Sequence, residues 1–247
     1  MSDTAPPALR RIQRVRHELQ RRELEVTQVQ RLSPNFISVT LQGSSLSNFR
    51  SDSFDDHVKV FFDESASDPA RRDFTPRRFD TTACDLTLEF ALHDHGPASD
   101  WARQASTGQR LVVGGPRGSM IIPTDYAWHM LIGDDSALPA VHRRLEELPE
   151  GSHAIVLLQI DDAGDHRTFT SPANVQLQWV RSTNELLSAI AALPLPEGEG
   201  FAWAAGEASV MVRVRQALVD KAIPKESMKV AAYWKAGAQA FHETLET

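Results

Sequence analysis

With 247 residues, 41% hydrophobic and 24% charged, the chain has the composition of a soluble globular protein, long enough for one large domain or two ordinary ones. Its formal net charge of -7 argues against general nucleic-acid binding, so any anionic ligand must be held by a local basic cluster. The single Cys84 excludes an internal disulfide framework and points to a reducing, cytoplasmic setting; no apolar run approaches the ~20 residues of a membrane span, and the start MSDTAPPALRR lacks the apolar core of a secretory signal.

Residues 1–18 are polar and basic and read as a solvated arm or a short helix. From 19 to 123, the stretches ELEVTQVQRL, FISVTLQG, HVKVFF, LTLEFALH and QRLVVGG alternate apolar and polar residues or run apolar between turns. Short strands at this spacing predict a small antiparallel β-barrel. From 124 to 247 strands and helices alternate. HMLIG, HAIVLLQI, VQLQWV, FAWAAG and MKVAAYWK read as strands, and SALPAVHRRLEELP, TNELLSAIAAL and EASVMVRVRQALVDKA as helices. That order predicts a mostly parallel sheet covered on both faces, an α/β domain joined to the barrel near residues 120–128. Ser136 is the expected cap of the first helix and Thr183 or Asn184 of the second.

Five stretches carry candidate chemistry. RRDFTPRRFD, residues 71–80, sets Asp, Phe, Thr and Pro between two arginine pairs. Arginine forks hold phosphate oxygens bidentately, an aromatic offers a flat face, and a threonine hydroxyl can bond a ring nitrogen. Together they suit a dinucleotide with a polycyclic end; a charged loop with one buried Phe gives the same pattern. In FALHDHGPASDWA, residues 90–102, a strand runs into Gly96-Pro97-Ala98-Ser99 at the start of a helix that Ser99 can cap. Small residues there let backbone N–H groups approach a pyrophosphate. His93 and His95 share a face, yet no third and fourth ligand is legible, so no metal site is expected. IGDDSALPA, residues 132–140, sits at a strand-to-helix junction, where Asp134 and Asp135 would repel phosphate and could instead meet ribose hydroxyls or amides. At two later strand ends, WAAGEAS and AAYWKAG place Gly206 for close approach, Glu207 at a helix start and Trp234 to cover a flat ring or simply to be buried.

In order, R-x-F-T-P-R, H-D-x-G-x-A-S-x-W-A, G-P-R-G-S, G-D-x-S-A-L-P-A, W-x-A-G-E-A and Y-W-K-x-G resemble the siderophore-interacting protein family, flavoproteins related to ferredoxin reductases. The resemblance runs from about Arg14 to Gly237. It implies a six-stranded-type flavin-binding barrel over 19–123 and an NAD(P)H-binding α/β domain over 124–247. It further implies FAD as cofactor, NADPH or NADH as donor and a ferric siderophore as acceptor, in a cytoplasmic enzyme expected to be monomeric. Carried over, Arg72 and Arg77 belong to the flavin motif, with Arg72 neutralising pyrophosphate. Phe74 would lie against the isoalloxazine, and Thr75, the candidate catalytic residue, would face its N5 region. His93, Gly96, Pro97, Ala98, Ser99, Trp101, Gly206, Glu207 and Trp234 complete the expected cofactor contacts. Phe74 stands where the family usually has Tyr, which keeps stacking and loses a phenol hydrogen bond. In so acidic a chain an anionic ferric chelate should dock on isolated cations, for which Lys59, Lys235 and Arg143 or Arg144 are the candidates. Competing readings are a general flavin reductase serving another protein, a siderophore-binding protein that uses no nicotinamide, and a flavin-binding sensor.

Overall fold

The computed structural model describes residues 11–62, 70–93, 96–238 and the backbone of 243–244. Its first half holds β1 (Gln13–Arg16), β2 (Arg21–Ser33), β3 (Phe36–Gln42), β4 (Val58–Phe62), β5 (Ala70–Phe74), β6 (Arg78–Asp80), β7 (Asp85–Ala91), α1 (Pro97–Gln104), β8 (Arg110–Gly114) and β9 (Gly118–Ile121). Strands β2 to β8 form one antiparallel sheet in the order β5-β4-β8-β2-β3-β7-β6. Alternation puts Val39, Leu41, Leu86, Leu88 and Phe90 inside, as a half-buried sheet requires.

The two edges of this sheet are β5 and β6, yet only Thr75, Pro76 and Arg77 separate them in sequence. Consecutive Cα atoms lie ~3.8 Å apart, so Phe74 and Arg78 are at most about 15 Å apart. The sheet must therefore curl until its edges nearly meet. This is a seven-stranded curled sheet, one short strand more than the six-stranded type expected, because the arginine-rich stretch itself supplies both edges.

The basic arm is not wholly solvated. β1 pairs antiparallel with β9, and Arg11 binds Asp125 and Glu199 with its guanidinium 4.2 Å from the Tyr126 ring centre. Residues 1–10 lie outside the described residues.

The second half holds β10 (Trp128–Gly133), α2 (Leu138–Glu147), β11 (His153–Gln159), β12 (Asn174–Val180), α3 (Thr183–Ala192), β13 (Gly200–Glu207), α4 (Ala208–Asp220), β14 (Met228–Trp234) and the short β15 (Glu243–Thr244). Their order is β12-β11-β10-β13-β14-β15, parallel except for the last pair. Every residue of β10 is buried, as expected of a strand covered on both faces. The winding reverses between β10 and β13, which opens a crevice at their carboxyl ends.

The helix caps differ from expectation by one to three residues. Asp134, not Ser136, caps the turn before α2, accepting from the Ser136 backbone N at 3.0 Å. Ser182, not Thr183 or Asn184, caps α3 by accepting from Glu185 N at 3.2 Å. Helix α1 starts at Pro97 with Gly96 before it, so Ser99 lies inside the first turn; its Oγ accepts from His93 N at 3.0 Å.

Buried polar contacts join the halves. Asp55 accepts from Trp203 Nε1 at 3.0 Å and pairs with Lys229. Burial pushes the Asp55 carboxyl up, but Lys229 and the Ser53 and Trp203 hydrogen bonds more than offset this and hold its pKa below the ordinary value. Asp165, after β11, accepts from Ser33 Oγ at 2.6 Å and Asn35 N at 2.9 Å in the β2–β3 turn.

Candidate functional site

A cavity of about 410 Å³ opens at the seam between the curled sheet and the parallel sheet. Its barrel wall is Arg72, Phe74, Thr75, Ala91 and His93, with the turn Gly96–Ser99; Tyr233, Trp234 and Lys235 come from the end of β14. The site exists because β5 is an edge strand that ends where the sheet nearly closes, and because β14 delivers its carboxyl end to the same gap.

The chemistry of this wall fits FAD. Arg72 donates to the Arg71 carbonyl at 2.7 Å, and among the described residues no carboxylate lies within ion-pairing distance of it. A cavity-lining guanidinium without a counter-ion suits a pyrophosphate. Gly96 has φ +138, a conformation side chains rarely adopt, and a Cβ there would meet nothing within 4 Å. Pro97 has no N–H and Asp100 N donates to Gly96 O at 2.9 Å, so the Ala98 and Ser99 backbone N–H groups of the first turn of α1 are the second anion-binding feature. Phe74 is held from behind by Phe90, ring centres 4.4 Å apart, and by Phe62 at 6.4 Å. Thr75 is buried beside it. A flat ring thus has a fixed aromatic wall on one side and the Tyr233–Trp234 pair from β14.

Trp234 is 39% exposed, and its Nε1 donates to Asp134 Oδ2 at 2.9 Å. Asp134, at the carboxyl end of β10, also accepts from Ser136 Oγ at 2.5 Å and Glu207 N at 2.9 Å. Burial raises its pKa despite these bonds. Its acceptor capacity is therefore spent on protein donors, backbone amides among them, and not on a ribose. A Cβ on Gly206 would lie 2.6 Å from Asp134 Oδ2, so glycine there permits close approach to a carboxylate. Glu207 caps α4, accepting from Ser209 N at 2.7 Å and Val210 N at 3.1 Å. Asp135 keeps its place in the cavity wall 3.7 Å from His93 Nδ1; burial, then the neighbouring Asp134, pushes its pKa to about 6.

Of the residues singled out in the sequence, Lys59, Arg72, Phe74, Thr75, His93, Gly96, Pro97, Ala98, Ser99, Trp234 and Lys235 line this one cavity. Others lie elsewhere. Arg77 is buried, bidentate to Glu146 at 2.7 and 2.9 Å and 3.3 Å from Glu89. It ties the barrel to α2 and is outside the cavity wall. Arg143 and Arg144, expected to dock substrate, are buried as well. Arg143 donates to Ser51 Oγ and O at 2.8 Å each and to the Pro76 carbonyl at 3.0 Å; Arg144 donates to the Pro123 carbonyl at 2.7 Å. Helix α2 turns these cations into the seam, so neither offers a docking charge. Trp101 packs in the barrel core, 5.3 Å from Phe90 and 5.9 Å from Phe62. Gly206 and Glu207 stand at the crevice behind Trp234 and outside the wall. Lys59 is not an isolated cation: its Nζ lies 2.5 Å from Asp73 Oδ1.

His57, Asp73, Glu89 and Tyr233, none of them among the site candidates from the sequence, also line the cavity. Tyr233 carried a usable signal, since it lies one residue before the carboxyl end of the last long parallel strand, where ligands of such sheets bind. Glu89 carried none, because it is held by Arg77 and Arg167 from distant segments. Among the described residues no group of three His, Cys, Asp or Glu is placed to hold a metal, and no helix is long and apolar enough to cross a membrane. His95 lies outside the described residues.

Comparison with known proteins agrees with this geometry. The siderophore-interacting FAD-binding domain matches residues 25–70 and 63–120, and the siderophore-interacting protein domain matches 126–237. The NADPH-dependent ferric-chelate reductase of Escherichia coli K12 is 33% identical over 91% of this chain and 96% of its own length. Ferric vibriobactin reductase ViuB of Vibrio cholerae is 32% identical over 90% and 93%. The crystal structure of a siderophore utilization protein from T. fusca superposes with a TM-score of 0.85 at 33% identity, covering 93% of this chain and 98% of that one. With both halves matched and the cavity between them fitted to FAD, this chain belongs to the siderophore-interacting protein family and carries its FAD-binding domain.

Proposed function

We propose that the protein is an NADPH-dependent ferric-siderophore reductase that uses FAD to reduce chelated Fe(III) to Fe(II) and so release the iron. The observation that carries this reading is one cavity walled jointly by Arg72, Phe74 and Thr75 from the barrel and by Tyr233, Trp234 and Lys235 from the end of β14. The names of the Escherichia coli and Vibrio relatives support the reaction, and the first supports NADPH as donor.

When bound, FAD supplies what neither substrate can do alone: it takes two electrons as a hydride and passes them on singly. One NADPH therefore reduces two Fe(III), leaving NADP+, two Fe(II) and one proton. The side chains hold and shield. Arg72 and the first turn of α1 bind the pyrophosphate. Phe74, itself fixed by Phe90, and Thr75 orient the ring. Trp234, latched to Asp134, covers the nicotinamide side and excludes water. No side-chain acid or base is required. Hard oxygen ligands bind Fe(II) less tightly than Fe(III), so reduction itself frees the metal. Lys59 and Lys235 at the cavity mouth attract an anionic chelate. The enzyme works as a monomer in the cytoplasm, where a reducing pool supplies NADPH.

Steady-state NADPH oxidation with and without ferric chelate tests the reaction. Lys59→Ala combined with Lys235→Ala should raise KM for an anionic ferric chelate and leave a neutral acceptor nearly unaffected. Equal loss with both acceptors, or NADPH oxidation indifferent to chelate, would refute the reading.

A further inference from the structure

The Lys59–Asp73 contact is built by strand register. The two residues are direct partners on β4 and β5, so their side chains share one face of the sheet. Along β5, Arg71 and Asp73 fall on one face and Arg72 and Phe74 on the other. Both members of the pair line the cavity, with 40% of the Lys59 side chain and 21% of the Asp73 side chain exposed.

The other charges of the wall have different assignments. Its cations are Lys59, Arg71, Arg72 and Lys235, and its carboxylates Asp73, Glu89 and Asp135. Glu89 is taken by Arg77 and Arg167, and Asp135 lies beside His93. Arg72 is reserved for the cofactor pyrophosphate. An acceptor that reaches Lys59 therefore finds Asp73 competing for it.

Resting on the ferric-chelate reading above, we propose that Asp73 sets the charge selectivity of the acceptor site, occupying Lys59 until a strongly anionic chelate such as a tris-catecholate displaces it. A neutral chelate has no charge to offer Lys59 and leaves the pair closed. A trianion offers the ammonium more attraction than one carboxylate does, and it is repelled by Asp73 for as long as Asp73 stays. Asp73 thus weakens every anion and excludes the weakly charged ones. The displaced carboxylate returns to water, which its partial exposure allows.

The test is calorimetric titration of the FAD-loaded protein with gallium(III) complexes of a tris-catecholate and of a neutral tris-hydroxamate. Gallium stands in for iron and is not reduced, so binding is read without turnover. Asp73→Asn should tighten the trianionic complex about two- to five-fold, the range of a partly exposed ion pair, and leave the neutral complex unchanged. Lys59→Met should weaken the trianion, and in the Asp73→Asn/Lys59→Met double variant the gain should vanish. Asp73→Ser should repeat the Asp73→Asn result. Equal tightening of both complexes, no tightening, a gain that survives without Lys59, or wild-type protein that binds the neutral complex as tightly as the trianion would each overturn the proposal. If the gallium pattern holds and the iron complexes are not reduced, the reductase reading falls and the role of Asp73 stands. If iron is reduced and the pattern is absent, the reverse follows.

Discussion

Replacing Arg77 with methionine separates a stapling arginine from a cofactor arginine. Arg77 is 3% exposed and reaches Glu146 twice across the seam and Glu89 once within the curled sheet. Removing one partner of a buried ion pair costs about 3–5 kcal/mol when the other is left alone. Here Glu146 keeps Arg78 at 2.5 Å and Glu89 keeps Arg167. The cost should therefore fall to about 2–3 kcal/mol, or about 4–12 °C in Tm for a chain of this size. The effect has a pH signature. Burial opposes ionisation of Glu146, but Arg77 and Arg78 prevail and hold its pKa at about 2. A carboxyl with a lowered folded-state pKa contributes stability above its unfolded value that is lost as pH falls through the folded one. The gap between wild type and Arg77→Met should thus narrow from about pH 4.5 down to about pH 2. Thermal and urea denaturation of the cofactor-free protein measure the first effect, and fluorescence titration with FAD measures affinity, which should stay within about two-fold. A ten-fold loss of FAD affinity with an unchanged Tm would refute this assignment and return Arg77 to the flavin site.

Arg72→Met should give the opposite pattern, with FAD bound about 10–100-fold more weakly, as for a lost charged hydrogen bond, and the cofactor-free Tm unchanged. Asp56 is pushed to about 6 by burial, against hydrogen bonds from Ser119, Ser53 and Ser51. A folded-state pKa above the unfolded one gives stability that is full below about pH 4 and lost as pH rises through about 6, here about 3 kcal/mol. Asp56→Asn should therefore gain on wild type by about that much between pH 4 and pH 7 in urea denaturation; a pH-independent difference would contradict it. Gly206→Ala drives a methyl against Asp134 and should cost about 1–3 kcal/mol, seen as a lower Tm and altered Trp234 fluorescence.

The order of strands and helices was legible because period-2 alternation and short, fully apolar runs are local signals. Helix starts were less so. Ser182-Thr-Asn-Glu185 has the capping-box pattern, and Ser182 caps the helix, yet Thr183 and Asn184 beside it are equally good caps by residue type. Phe74, Thr75 and the Gly96–Ser99 turn entered through the family resemblance, since on residue type alone a charged loop with one buried Phe gives the same pattern. The roles of the arginines were not legible. A guanidinium beside an aromatic looks the same whether its partner is a phosphate or a carboxylate 69 positions away, as for Arg77 and Glu146. Arg143 sits on an amphipathic helix whose polar face looks solvated until Ser51, 92 positions away, covers it. The curl that brings β5 and β6 together is likewise a long-range property, visible only once strand order is known.

The central claim is that FAD in the seam carries electrons from NADPH to a ferric chelate. An anaerobic titration following the visible flavin absorption of the purified, FAD-loaded protein tests it most directly. The band should bleach on NADPH addition and return in full when two equivalents of ferric chelate are added per flavin, with Fe(II) appearing in step. A protein that takes up no FAD, or whose bleached band persists after ferric chelate is added, would contradict the account.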